Sequence, residues 1–158
     1  MAPPPPSLPP RAALRMGFLG LGPLLFSGFV CLASNPDIAR FGALSFSIYA
    51  AALLSFLGGV RCGIEIMREP DAPKELRLLF SALPALAGWA LALFVVLAEN
   101  ASGAASAFAG LFAAQYVWDH RSGGAGAPAW YPLLRQVLTG GAMIACLLLP
   151  LASAMHRI

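Results

Sequence analysis

Apolar residues arrive in this chain as long unbroken runs, and that constrains its fold more than any other feature. A water-soluble helix keeps a polar face along most of its length, and these runs have none. A helix that crosses a bilayer needs about 20 mostly apolar residues. Inside the hydrocarbon it must also satisfy its own backbone groups, which an α-helix does. Runs of this kind occupy residues 14–33, 41–63, 76–97, 102–117 and 134–154, the fourth short and rich in alanine. They predict an all-α, polytopic transmembrane helical bundle of five spans, whose first partner is the lipid bilayer. A length of 158 residues would by itself permit one soluble domain. Only 11% of the residues are charged, however, against roughly 25% in soluble domains.

Proline punctuates the pattern. The opening MAPPPPSLPP cannot hold a helix, because proline lacks the N–H and fixes φ. Residues 1–13 therefore read as a disordered, polyproline-like cytoplasmic tail, with residues 14–158 as the membrane domain. Arg11 and Arg15 before an apolar run also fit a signal peptide, with Ala33 or Ser34 as the small cleavage residue. The length of the run favours a retained helix. Asn35-Pro36-Asp37 is expected to form a turn. Pro23, Pro84 and Pro150 fall inside alternate spans and are expected to kink them, neighbouring groups taking up the released carbonyls.

Basic residues set the expected orientation. With the N-terminus inside, Arg11, Arg15, Arg61, Arg68, Lys74, Arg77, Arg121 and Arg135 lie on the cytoplasmic side. Only Arg40 and Arg157 fall outside, a clear positive-inside bias. Five crossings then leave the C-terminus outside. Trp118, Trp130 and Tyr131 are interface anchors on the inner side, where amphipathic rings prefer to lie. Of the ten basic residues only Lys74 is a lysine, a bias that suggests a GC-rich bacterial genome and hence a bacterial inner membrane. Asn100-Ala101-Ser102 matches a glycosylation sequon by chance.

The second span carries two features. Ala43, Ser47, Ala51, Ser55, Gly59 and Gly63 recur every four residues, a slowly winding small-residue stripe on which another helix backbone can approach closely. Near its cytoplasmic end stand Arg61 and Glu65, one turn apart, with Asp119 and Arg135 at the same expected level. Ionisable groups at membrane depth pair, snorkel or face a polar interior. The cluster Arg61, Glu65, Asp119 and Arg135 reads first as a lock between helices. Its functional alternative is a proton, ion or anionic-ligand site.

Other chemistry finds no foothold. Cys31, Cys62 and Cys146 stand far apart in apolar runs, offering neither a disulfide framework nor zinc-ligand spacing. His120 and His156 fall on opposite expected sides, and no acidic cluster offers a cation cage. No metal or cofactor is expected. There is no P-loop, GxSxG or HExxH, and Gly123-Gly124 reads as a plain connector. No enzyme is expected, since no nucleophile has a base beside it. Nucleic acid is not an expected partner, because basic residues form no arm or patch.

The stretch Ser55-Phe56-Leu57-Gly58-Gly59-Val60-Arg61-Cys62-Gly63 resembles the signature of the domain of unknown function 3429 family. So do Asp119 followed by Pro128-Ala129-Trp130-Tyr131 and Arg135, and Leu83-Pro84 in the third span. Cys62 departs from the aromatic usual in that family. This bacterial family is itself similar to the eukaryotic transmembrane protein 69, and the resemblance implies a multi-span membrane protein without an established activity. The expected role is a membrane scaffold or assembly factor acting through helix packing, as a homo-oligomer or within a membrane protein complex. A transporter or channel subunit using the polar cluster is the alternative, and an embedded enzyme has least support.

Overall fold

A computed structural model describes residues 8–68, 74–98, 100–121 and 127–156. The first seven residues of the proline tail, the Gly123-Gly124 connector and Arg157 lie outside the described residues. Five helices order the rest: α1 Arg11–Val30, α2 Pro36–Arg68, α3 Glu75–Ala98, α4 Ala101–Arg121 and α5 Tyr131–His156. Four of them, α1, α2, α3 and α5, are long and apolar enough to cross a membrane. The fourth is long enough, at 21 residues or roughly 30 Å, but less apolar.

Helix ends depart from the apolar runs, because hydrogen bonding and not polarity sets them. The first helix starts at Arg11, three residues inside the expected tail. Pro10, extended at φ −57° and ψ 145°, offers its carbonyl to the Leu14 N–H at 3.1 Å. Asn35-Pro36-Asp37 is not a separate turn but the start of α2. The Asn35 side chain accepts from the Asp37 and Ile38 amides, and Pro36 takes the first helical position, where its missing N–H costs nothing. The sequon residue Asn100 is likewise a helix cap, its Oδ1 accepting from the Gly103 amide at 2.9 Å. With 33 residues, α2 is roughly 50 Å long and outruns a ~30 Å hydrocarbon core.

Short connections make sequence neighbours antiparallel, and the helices close into a ring in the order α3, α2, α1, α5, α4 and back to α3, with α2 also touching α4. The second helix meets α3 where side chains vanish. A Cβ on Gly58 would collide with the Ser81 carbonyl, and one on Gly88 would lie 3.0 Å from the Ala51 Cα. Phe46, Leu54, Phe108 and Phe112 fill the centre with Leu24, Ala105 and Ala145, and the Phe46 and Phe108 rings meet edge to face at 6.3 Å. Large apolar side chains such as Phe18, Leu19, Phe41, Phe56, Leu86, Trp89 and Leu147 point outward instead. That exterior suits hydrocarbon better than water. Tyr49 on α2 donates its hydroxyl to the Gly20 carbonyl of α1 at 2.7 Å, one residue past the carbonyl that Pro23 leaves without a helical donor.

Candidate functional site

The up-and-down order gathers charge at one end of the ring. The start of α1, the end of α2, the start of α3, the end of α4 and the start of α5 all meet there. Arg11, Arg15, Arg61, Arg68, Lys74, Arg77, Arg121 and Arg135 share that end, and Arg40 lies at the other.

Glu65 is the hub of one ion-pair group. Only 3% exposed, it accepts from Arg61 Nη2 at 2.6 Å one turn earlier on α2. Arg77 reaches it from α3 at 3.4 Å, and Arg68 lies 3.7 Å away. The Arg61 side chain is 4% exposed, which excludes a snorkelling, lipid-facing role. Its guanidinium lies 5.5 Å from the centroid of the Trp118 ring, and Phe80 packs edge-on against that ring at 6.2 Å.

Asp119 does not join Glu65. It accepts from Arg135 Nε at 2.8 Å, tying the end of α4 to the start of α5. Arg61, Asp119 and Arg135 nevertheless face one another across a cavity of about 20 Å³, room for about one water, with Tyr116, His120 and Tyr131 on its wall. His120 stacks on Tyr116 at 6.1 Å. Three buried nitrogens donate to no described group: Arg61 Nε, Arg135 Nη2 and Gln115 Nε2. Gln115 escaped the sequence reading. It lies one turn before Asp119 on the face that carries Phe108 and Phe112, and that periodicity was the available signal. Arg68 and Arg77 stand in the sequence only as basic residues of that end. The i,i+3 spacing signals Arg68 beside Glu65, whereas only the packing of α3 against α2 brings Arg77 there.

The small-residue stripe does not stay at one interface. Ser47 is buried, Ala43 and Ala51 are half-buried, and Ser55, Gly59 and Gly63 are exposed. Four residues advance a helix by one turn plus roughly 40°, so five such steps rotate the stripe roughly 200° around the axis. Nothing lies within 4 Å of a Cβ on Gly59 or Gly63. The glycine that receives a neighbour is Gly58, one position away. Trp118, Trp130 and Tyr131 all sit at the basic end, half-buried, with Trp130 and Tyr131 in edge contact at 6.5 Å. Among the described residues no group of His, Cys, Asp and Glu could hold a metal ion.

Comparison with known proteins adds a family and little chemistry. The family described as Protein of unknown function (DUF3429) matches residues 9–151. A curated Xenopus tropicalis protein, Transmembrane protein 69, is 36% identical over 89 residues, 54% of this chain and 34% of that protein. The match thus spans about a third of the curated relative. No solved structure matches the chain.

Proposed function

The chain belongs to the DUF3429 family of unknown function, and from that premise we propose that it is a multi-pass membrane scaffold or assembly factor that docks a partner helix. The observation that carries this reading is the outward half of the α2 stripe. Ser55, Gly59 and Gly63 are exposed on the outside of the ring, with open space above both glycines. Within a membrane, such small-residue surfaces let a second helix backbone come close, and close packing drives association there. The cluster Arg61, Glu65, Asp119 and Arg135, by contrast, is turned inward and paired within itself. The docked helix belongs to a second copy or to another membrane protein.

Five crossings fit this reading, with the basic end inside the cell and the far end outside. The positive-inside tendency supports that orientation, and the inner membrane of a bacterium is the location we assign. The fourth helix crosses as well, in shelter. It packs against α3, α5 and α2, and its outward positions Gly103, Ser106, Ala107, Gly110 and Ala114 are small rather than charged. The test is cysteine crosslinking in native membranes from positions beside Gly59. We expect a crosslinked complex that Gly59→Leu abolishes while the protein remains folded. A monomer alone, with or without that change, would contradict the scaffold.

A transporter or channel subunit is the second reading, and the three undirected buried donors favour it. Flux in proteoliposomes that fails with Arg61→Ala and Asp119→Asn would support it over the scaffold. Unchanged flux would remove it.

A further inference from the structure

We propose that the groove between α1, α2 and α5 holds the acyl chain of an anionic phospholipid whose phosphate meets Arg135. The groove encloses about 470 Å³ and its lining is almost wholly apolar. Gly20 on α1 leaves one wall open, Gly17 below it packs against Leu138 of α5, and Ala52 and Phe56 on α2 form the other wall. Along α5 the lining runs from Tyr131 to Ala142, and along α2 from Tyr49 to Val60, each roughly 16 Å of helix. One leaflet of a ~30 Å hydrocarbon core is about that deep. Toward the deep end the polar side chains in the lining are Thr139 and Tyr49, whose hydroxyl donates to the Gly20 carbonyl.

The shallow end is built for a headgroup. Trp130 and Tyr131 line it, and such rings favour the membrane interface. Arg135 lines both this groove and the small cavity behind it. Its side chain is 5% exposed, its Nε is committed to Asp119, and its Nη2 donates to no described group. Where Arg135 lines the groove, a phosphate oxygen can meet its guanidinium with a charge-assisted bond. Arg11 and Arg15 are exposed on α1 at the same end and add to the local positive field. A zwitterionic headgroup would lose part of that attraction to its own ammonium group. The inference rests on the basic end lying at a membrane surface and is independent of the scaffold reading.

The test is native mass spectrometry of the full chain released from vesicles of equal parts phosphatidylglycerol and phosphatidylcholine. We expect one retained lipid, with phosphatidylglycerol favoured about fivefold, the factor one basic residue supplies at a membrane surface. The pair Arg135→Gln with Asp119→Asn removes both charges together, so no carboxylate is stranded, and should reduce that preference to the smaller part owed to Arg11 and Arg15 while lipid is still retained. Gly20→Leu fills the groove from a position with open space around it, and should remove both lipids. Gly59→Leu, outside the groove, should change neither result, which separates this site from the scaffold surface. Equal retention of the two lipids by the unaltered chain would overturn the proposal. So would a preference left undiminished by the double substitution, or tight lipid retention by Gly20→Leu.

Discussion

Glu65 gathers three guanidinium groups onto one buried carboxylate, and its loss should be felt more than that of any other acidic residue here. Replacing it with alanine strands Arg61 without its acceptor. We expect a loss of about 3–5 kcal/mol, read as reduced resistance to unfolding in detergent. Arg61→Met with Glu65→Leu should recover most of that loss, since replacing both members leaves no unpaired charge at 3–4% exposure. The Arg61–Glu65 pair was legible in the sequence because i,i+4 spacing places both on one helix face. Arg77 was not, because its part depends on the start of α3 packing beside the end of α2. Asp119 was placed at the right end of the bundle but could not be assigned between Arg61 and Arg135 without the α4–α5 contact. Gln115 went unnoticed because an amide in an alanine-rich run carries no charge to draw the eye.

At the scale of the helix, adjacent glycines on α2 have opposite fates. Gly58 faces the Ser81 carbonyl, so Gly58→Ala forces backbone apart and should cost about 1–3 kcal/mol. Gly59 faces open space, so Gly59→Ala should be neutral or add up to about 1 kcal/mol through helix propensity. Unfolding both variants in the same detergent compares them directly. A four-residue repeat looked like one packing surface in the sequence, and its first half does lie within the bundle. The remaining 40° per turn carried the second half outside, which spacing alone did not reveal over five turns. Helix starts were also read too late, at the first apolar residue, because capping by Pro10 and Asn35 lies in the polar flank. Asn35→Ala removes the acceptor of two amides and should weaken the start of α2 by about 1 kcal/mol, measurable as faster amide exchange at Asp37 and Ile38.

At the scale of the molecule, hydropathy identified α1, α2, α3 and α5 well, because each must meet lipid over much of its surface. It identified α4 less well for a physical reason. The two phenylalanines of α4, Phe108 and Phe112, point into the core, and its outward positions Gly103, Ser106, Ala107, Gly110 and Ala114 are small and only weakly apolar. The ring closes because α4 packs against both α3 and α5, and the collection of charge at one end depends on its antiparallel direction. Five crossings can be tested on the whole chain with its native cysteines replaced and single cysteines placed at its ends. An impermeant thiol reagent added to intact cells should label Ser34→Cys and Met155→Cys, and should spare Lys74→Cys and Arg121→Cys until the membrane is opened. Lys74→Cys and Arg121→Cys on opposite faces would mean that α4 does not cross, and would contradict the account.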